Sequence, residues 1–245
     1  PGWTVTALSD QGPSVWALIT GDTGHPPDDR LATSEDLGTT WSISPVLPQL
    51  AGCFGVLDRL SPTLAYAMGT GHPTGEPGLD HIAYTTDAAR SWSYVVDPCA
   101  NPPEAATRLQ VLPPTTVWLA CAGQATSGYQ GKSVYRSEDG GRHWTLAARA
   151  CFPASGCTPL GQLPAPGYLG DLHATSDAQA WLSLARGNLF ETADGGRTWT
   201  PALPGGVQVQ QGPGVLSFTD SHHGWTIADS GIWSTVNGTT WQRAQ

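Results

Sequence analysis

Short apolar runs recur along the chain, and a turn-rich stretch separates each run from the next. The runs are only a few residues long, for example VTAL, VWALI, AYAM, VWLA and AWLSL. Runs of this length bounded by Gly, Pro, Asp and Ser are typical of β-strands. None of them approaches the length of a membrane-spanning helix. The pattern therefore predicts an all-β chain built from many short strands.

One motif, of the form Ser/Thr-x-Asp-x-Gly-x-Thr-Trp, recurs among these runs. The Trp residues that end its copies lie 51, 52, 55 and 42 positions apart, a period that matches a four-stranded propeller blade. Within a copy, Asp can accept hydrogen bonds from backbone N–H groups two or three residues further on, and Gly supplies a positive φ. The five copies are SEDLGTTW (Ser34–Trp41), TTDAARSW (Thr85–Trp92), SEDGGRHW (Ser137–Trp144), TADGGRTW (Thr192–Trp199) and STVNGTTW (Ser234–Trp241).

Each repeat divides into four strands, A to D, with the motif as the turn from C to D. The B-strand run of every repeat holds an aromatic residue, which we call the marker aromatic: Trp16, Tyr66, Trp118, Trp181 and Trp225. The motif Trp at the start of strand D can bury its ring between neighbouring sheets. We expect a β-propeller of four-stranded antiparallel blades, closed as a ring of five, with six blades as the alternative. The expected blades of this single domain are residues 3–46, 47–97, 98–149, 150–204 and 205–245.

The motif resembles the Asp-box, or BNR repeat, of sialidase-like β-propellers. Similar boxes occur in sortilin-type receptor domains, xyloglucanases and photosystem assembly-factor propellers. Three positions depart from the pattern, with Ala89 in place of Gly, His143 in place of Thr and Val236 in place of Asp. The resemblance spans essentially the whole chain and implies that ligands meet the face opposite the motif turns. We interpret the following motif residues as structural: Asp36, Trp41, Asp87, Trp92, Asp139, Trp144, Asp194, Trp199 and Trp241.

The composition argues against two classes of partner. The formal net charge is -9, and only 13% of the residues are charged. Nucleic acids and anionic membrane surfaces attract basic proteins, so neither is expected to bind this chain. The 30 Gly and 21 Pro residues make long helices unexpected. The 39% of hydrophobic residues are enough to build a sizeable core.

Five cysteines bear on the compartment. Cys151 and Cys157 bracket a Pro/Gly/Ser loop whose length suits a small disulfide, and Cys53 and Cys99 also lie in loop-like sequence. We predict a Cys151–Cys157 disulfide and, as a second pairing, Cys53–Cys99, with reduced thiols as the alternative. Disulfides persist in oxidising compartments, so we expect a secreted, cell-surface or periplasmic protein. The sequence contains no CxxC or HxxxH spacing, so we do not expect a zinc site.

In a propeller, the B–C and D–A connections share the face opposite the motif turns, and loops carry function more often than scaffold does. Long B–C connections are expected at Gly21–Arg30, Gly69–His81 and Ala122–Gly131. The first two repeat the tetrapeptide T-G-H-P, followed by carboxylates that can bind a divalent ion or a polar ligand. The alternative is that the tetrapeptide is duplicated turn sequence. The candidate ligand-binding residues are His25, Asp28, Asp29, His72, Glu76, Asp80, His81 and Tyr129.

The resemblance suggests glycoside hydrolysis as a candidate activity. In the sialidase-like family this reaction needs an arginine triad that binds a carboxylate, a Tyr nucleophile activated by Glu, and an Asp acid/base. No Tyr–Glu pair stands out, and the arginines outside the motifs and their turns are Arg30, Arg108, Arg149 and Arg186. We assign no catalytic residue and no cofactor, and the alternative is a divalent metal at the His25 and His72 loops. We expect a monomeric, non-catalytic propeller that binds a protein or a glycan. The alternatives are a sialidase-like hydrolase and a metal-dependent enzyme.

Overall fold

The computed structural model describes residues 2–21, 28–45, 54–70, 81–100, 105–152, 157–210 and 215–244. These residues form five four-stranded sheets in which every neighbouring pair of strands is antiparallel and the strands follow chain order. The predicted all-β fold of five four-stranded blades is confirmed, and we number the blades 1 to 5 along the chain. The one helical element among the described residues is a 3-10 turn at Pro98–Ala100.

The strands of blades 1 and 2 are β1 (Trp3–Gln11), β2 (Ser14–Gly21), β3 (Asp28–Ser34), β4 (Ser42–Ile43), β5 (Phe54–Arg59), β6 (Ala65–Thr70), β7 (His81–Thr85) and β8 (Ser93–Val96). Those of blade 3 are β9 (Ala105–Leu112), β10 (Thr116–Thr126), β11 (Tyr129–Ser137) and β12 (Thr145–Ala150). Blades 4 and 5 contain β13 (Tyr168–Ala174), β14 (Ala180–Ala185), β15 (Leu189–Thr192), β16 (Thr200–Pro201), β17 (Leu216–Phe218), β18 (Gly224–Ala228), β19 (Gly231–Thr235) and β20 (Trp241–Arg243).

The motif turn of blade 4 shows how the repeated residues fold. The Asp194 carboxylate accepts the backbone N–H of Thr198 at 2.9 Å and its hydroxyl at 2.7 Å. The Thr192 hydroxyl donates to Asp194 at 2.9 Å and accepts the backbone N–H of Gly196 at 3.0 Å. The carboxylate thus bonds mainly the residue four positions on, with a smaller contribution from the backbone N–H of Arg197, three positions on, and the Thr192 hydroxyl accepts the N–H of Gly196. Blades 1, 2 and 3 repeat these bonds around Asp36, Asp87 and Asp139.

The motif turn is also tied to the A–B turn of its own blade by one backbone hydrogen bond. The A–B and C–D turns therefore share one face of the molecule, and the B–C and D–A connections lie on the other. The five N–H to carbonyl bonds are Leu37 to Pro13, Ala88 to Thr63, Gly140 to Thr115, Gly195 to Ala178 and Gly238 to His222.

Successive blades are joined where the marker aromatic of one blade packs against the motif turn of the next. The Trp118 ring is fully buried, and a Cβ placed on Gly196 would lie 3.3 Å from it. The Trp181 indole N–H donates to the carbonyl of Gly238 at 3.1 Å. The motif Trp of the later blade packs into the same hydrophobic cluster, as Trp199 does beside Trp118. Each interface between blades therefore repeats one arrangement of rings and turn.

The expected closed ring is not what the structure shows. Among the described residues, hydrophobic clusters join blade 1 to 2, 2 to 3, 3 to 4 and 4 to 5, but none joins blade 5 to blade 1. Trp41 at one end is 45% exposed, and Trp225 at the other is 42% exposed. Over the described residues, the five blades are therefore joined in sequence by four apolar interfaces. The repeat period predicts how many strands each blade contains. It does not predict the angle between blades, which depends on how their side chains pack.

Two disulfides cross-link the described part of the chain. Cys151 is bonded to Cys157, the first pairing that we expected. Cys99 is bonded to Cys121, so the second expected pairing, Cys53–Cys99, is wrong. The 3-10 turn at Pro98–Ala100 places the Cα of Cys99 5.5 Å from that of Cys121 on β10, which suits a disulfide. Cys53 lies outside the described residues.

The contact between ring and turn predicts a large penalty for a side chain at Gly196. Its φ is +84°, and an added Cβ would lie 2.8 Å from the Cβ of Ala147 as well as close to the Trp118 ring. We expect Gly196→Ala to lower the free energy of unfolding by about 1–2 kcal/mol for the left-handed backbone and by roughly 1–3 kcal/mol more for the clash. Urea unfolding measures the sum.

Gly206→Ala is the matched control, because Gly206 has a φ of +88° and nothing within 4 Å of an added Cβ. It should show the backbone penalty alone. Equal losses in the two variants would contradict the packing of the marker aromatic against the turn.

Candidate functional site

Of the predicted ligand-binding residues, the structure describes the side chains of Asp29 and Tyr129. Asp29 lies inside β3 and is buried, where it accepts a hydrogen bond of 2.5 Å from the Thr20 hydroxyl on β2. It supports the pairing of two strands and is not presented on an open loop. His25, His72, Glu76 and Asp80 lie outside the described residues, and Asp28 and His81 are placed only as the first residues of β3 and β7.

The connection expected as a loop at Ala122–Gly131 is mostly strand. β10 continues to Thr126, β11 begins at Tyr129, and the turn residues Ser127 and Gly128 have φ of 49° and 87°. Two successive positive φ values are the signature of a tight type I′ hairpin turn, whose twist matches that of the flanking strands. This hairpin carries Tyr129 to the face opposite the motif turns.

Aromatic rings and a cation continue from this hairpin to the next blade. Tyr129 is 43% exposed and stacks on Phe152, with the ring centroids 5.2 Å apart. The Tyr168 hydroxyl accepts the backbone N–H of Gly128 at 2.9 Å. The Arg186 guanidinium, on the exposed B–C turn of blade 4, lies over the Tyr168 ring at 5.4 Å. The B–C turns of blades 3 and 4 thus form one continuous surface.

A shallow pocket of about 300 Å³ extends this surface to blade 5. It lies between the B–C turns of blades 4 and 5 and the D–A connection that joins them. The backbone N–H of Gln208 donates to the Asp229 carboxylate at 3.1 Å, and the N–H of Asp229 donates to the carbonyl of Gln208 at 3.0 Å. We define the loop-face surface as Tyr129, Phe152, Tyr168, Arg186, Gln208, Gln210, Asp229 and Ser230.

The chemistry of the loop-face surface is that of recognition. Exposed Tyr129 offers a flat ring, Arg186 offers a cation with five N–H donors, and Gln208 and Gln210 each offer a donor and an acceptor. Asp229 adds one carboxylate, whose partner is the backbone N–H described above. Sequence reasoning identified Tyr129 as a binding residue and Arg186 only as one of four arginines that could grip a carboxylate. The other residues come from short turns of different blades and share no motif.

A buried cation supports the loop-face surface from below. Lys132, the one lysine in the sequence, is fully buried on β11, and its ammonium donates to the carbonyls of Pro164 and Ala165 at 2.9 and 3.0 Å. The Gln130 side chain accepts the backbone N–H of Leu169 at 2.7 Å. The two hydrogen bonds of Lys132 and the one of Gln130 hold the connection between blades 3 and 4 against the hairpin that carries Tyr129.

The four arginines considered for a carboxylate grip all have partners inside the chain. Arg108 is ion-paired with Asp171 at 2.9 Å, and Arg149 donates to two side-chain hydroxyls on β11. Arg186 lies over Tyr168, and Arg30 lies 5.6 Å from the centroid of the Trp3 ring. These contacts position the guanidinium groups within separate strands and turns.

Carboxylates fall into two electrostatic classes. Hydrogen bonds, first of all from the backbone N–H of Thr40, lower the pKa of Asp36 to about 2, and similar bonds lower that of Asp87 to about 2. In contrast, burial raises the pKa of Asp58 to about 6. Asp58 lies on innermost strand β5 and accepts the backbone N–H of Val111, on β9 of the next blade, at 2.6 Å. It links two blades and does not meet the loop-face surface.

One cluster has the composition of a metal site. Potential ligand atoms of Asp97, Cys99 and Cys121 lie within 4.8 Å of one another, and no other such group of three occurs among the residues described. The two sulfurs are joined in a disulfide, so they are not thiolates that could bind a metal ion. The cluster therefore acts as a cross-link.

The fold places the chain among known β-propellers. No protein-family model matches the sequence, and no curated protein matches it. The chain is similar to the solved structure of YCF48 bound to D1 peptide, with 17% identity, a TM-score of 0.61 and coverage of 98% of this chain and 66% of that chain. It is also similar to the GH74 xyloglucanase from Xanthomonas campestris, with 17% identity, a TM-score of 0.59 and coverage of 95% and 37%.

A Trypanosoma rangeli sialidase in complex with 2,3-difluorosialic acid is a third similar structure, at 12% identity, a TM-score of 0.50 and coverage of 98% and 53%. The chain therefore has a β-propeller fold. It spans 66% of the YCF48 chain and about half or less of the two enzymes. No helix that is long and apolar enough to cross a membrane occurs in the described ranges.

The raised pKa of Asp58 predicts a pH dependence of stability. The folded carboxyl takes up a proton near pH 6, whereas the ordinary value is 3.8, so the folded state binds more protons between these values. Asp58 alone should therefore add roughly 1–3 kcal/mol to the free energy of unfolding as the pH falls from 7 to 4. Burial lowers the pKa of His173 to about 4, which acts in the opposite direction over the same range. The measurement is therefore the difference between the unmodified chain and Asp58→Asn, which should grow as the pH falls in urea unfolding at a series of pH values.

Asp36→Asn is the control with the opposite sign. The pKa of Asp36 is lowered to about 2, so its contribution is present above pH 3.8 and is lost only as the pH falls towards 2. An unchanged slope between pH 7 and 4 in Asp58→Asn would contradict the assignment to Asp58.

Proposed function

We propose that this chain is a non-catalytic, secreted β-propeller that binds a protein or glycan partner through the loop-face surface. The observation that carries the proposal is the surface itself, in which an exposed ring, an exposed guanidinium and exposed amides lie together opposite the motif turns. Such a combination provides flat apolar contact and directional hydrogen bonds, which are the means by which interfaces gain affinity and specificity.

A polar, extended peptide is the partner that we place first. The Gln208 and Gln210 amides can hydrogen-bond both the N–H and the C=O of a peptide bond. Arg186 can donate hydrogen bonds to a carbonyl or a carboxylate. The net charge of -9 disfavours a strongly acidic partner. The solved structure of YCF48 with a bound peptide supports a peptide-binding role for a propeller with this fold.

We propose that the chain is secreted. The Cys99–Cys121 and Cys151–Cys157 disulfides both join segments near the loop-bearing half of blade 3 and the connection that follows it. Structural disulfides form and persist in oxidising environments. They cross-link segments that contribute to or lie beside the loop-face surface, which suits a binding surface exposed outside the cell.

The proposal predicts which substitutions abolish binding. The purified chain would be screened on a synthetic peptide array and on a glycan array, and Kd would be measured for the strongest ligand. We expect Arg186→Ala combined with Tyr129→Ala to raise that Kd by at least about tenfold, since interface aromatic and arginine residues carry much of the binding energy.

Arg90→Ala combined with His223→Ala is the matched control, because both residues are exposed on the opposite face. Its Kd should equal that of the unmodified chain. Loss of binding in this control, with retention in the Arg186 and Tyr129 variant, would place the ligand on the motif-turn face and overturn the proposal.

The proposal also predicts that the chain does not hydrolyse glycosides. A panel of fluorogenic glycosides that includes sialosides would be incubated with the purified chain, with and without EDTA. We expect no turnover above that of the heat-denatured chain. Turnover that Arg108→Ala or Arg30→Ala abolishes would replace the binding proposal with a hydrolase, and turnover that EDTA abolishes would direct attention to the His25 and His72 loops.

A further inference from the structure

One face of blade 1 repeats the face that blade 2 buries against blade 1. In blade 2, Leu57, Ala67, Ala83 and Tyr94 form a row of directly paired residues across the four strands. This row packs on Trp16 and Leu18 of blade 1, and Leu57 is only 9% exposed. Small Ala side chains at the centre of the row leave room for the marker aromatic of the preceding blade.

The equivalent row of blade 1 consists of Leu8, Ala17, Ala32 and Ile43, paired in the same order across its four strands. Ala17 alternates along β2 with Trp16 and Leu18, which face blade 2, so this row faces away from blade 2. Leu8 is 59% exposed and Ile43 is 49% exposed. Ala17 and Ala32, at the centre of the row, are 3% and 6% exposed, so the exposed part of this face is its two edges. The row keeps the residue pattern of an interface, and among the described residues the hydrophobic cluster that contains Ala17 and Ala32 includes no residue of another blade.

The motif turn beside this row is exposed in the same way. Trp41, the motif Trp of blade 1, is 45% exposed, whereas Trp199 and Trp241, each covered by a preceding blade, are 1% and 5% exposed. Leu37 in the same turn is 74% exposed. We call the exposed residues Leu8, Leu37, Trp41 and Ile43 the head face.

Blade 5, the last blade in chain order, presents the complementary half. Trp225 occupies the marker position, and Trp225 and Ile227 alternate along β18 with Ala228, which packs in the cluster shared with blade 4. Their side chains therefore face away from blade 4. Trp225, Ile227 and Ile232 are 42%, 38% and 55% exposed, whereas the marker residues Trp16, Trp118 and Trp181 are 1% exposed or less. We call Trp225, Ile227 and Ile232 the tail face.

We propose that the head face of one molecule binds the tail face of a second copy of this chain. The two faces are the separated halves of an interface that the chain already forms four times internally. Trp225 of one copy would pack against the turn at Leu37 and Gly38 and beside Trp41 of the next copy, as Trp181 packs against Gly238 and beside Trp241. The contact continues the arrangement of an established interface.

The proposed contact is head to tail, so after a single association one molecule keeps an unused tail face and the other keeps an unused head face. Such a heterologous interface produces a closed ring or an open chain of copies, and not a two-fold dimer. This inference departs from the monomer that the sequence led us to expect. It is independent of the partner proposed for the loop-face surface, which lies on a different side of each blade.

Sedimentation velocity of the purified full chain over a wide range of concentrations tests the proposal. We expect the weight-average mass to rise with concentration. Trp225→Asp and Leu8→Asp should each weaken this association by at least about 100-fold, because each places a charge in the buried interface. Both positions are exposed in one copy, so circular dichroism and the melting temperature should show that the variants fold. Val96→Asp, on a 68% exposed position of blade 2, is the matched control and should associate normally.

Mixing the two disabled variants distinguishes the head-to-tail contact from any other. The Trp225→Asp chain retains its head face, and the Leu8→Asp chain retains its tail face. We expect neither variant to associate alone, and an equimolar mixture to form a complex of two chains and no larger species. A two-fold interface that used both faces would not recover in the mixture.

Three results would overturn the proposal: a chain that stays monomeric at every concentration, association that neither substitution weakens, or no complex in the mixture. A monomer in which the Trp225 and Trp41 indoles are protected from a water-soluble oxidant would instead show that the two faces close within one chain. A monomer in which both are oxidised readily would show that a second copy is not the occupant.

Discussion

Each interface between successive blades depends on an aromatic ring seated against a turn of backbone. Trp118 contacts the turn at Gly196, Trp181 donates to the carbonyl of Gly238, and Tyr66 lies close to Gly140. The ring can approach only if the turn keeps its shape, and the Asp and Ser/Thr side chains of the motif hold that shape. The glycines at the contact satisfy both demands, since they adopt positive φ and leave space for the ring.

The four-stranded blades could be predicted from the sequence because the residues that define each blade lie close together along the chain. The motif fixes the C–D turn within eight residues, and the marker aromatic lies one strand earlier. The closure of the ring and the partner of Cys99 could not be predicted in the same way. Closure depends on how blades 1 and 5 meet across the whole chain, and the bond to Cys121 depends on a short 3-10 turn that no motif marks.

The candidate site was largely hidden for a related physical reason. Repeated T-G-H-P sequences drew attention to the His25 and His72 loops, whereas the described loop-face surface comes from the turns of three blades. Arg186, Asp229 and Ser230 are raised on turns with positive φ, although none of them is Gly. Tyr129 could be recognised from the sequence as an exposed aromatic, because it lies beside a Ser-Gly turn in a segment that is otherwise polar. Arg186 could be recognised only as a candidate partner for a carboxylate.

Burial of Lys132 has a practical consequence for anyone who handles this protein. Its ammonium donates to two backbone carbonyls beneath the loop-face surface and is fully shielded from solvent. Amine-reactive dyes, cross-linkers and coupling resins therefore find no accessible lysine on the folded chain. Covalent modification of Lys132 would occur only when the connection between blades 3 and 4 opens. The rate at which Lys132 is labelled therefore measures how often this connection opens beneath the loop-face surface.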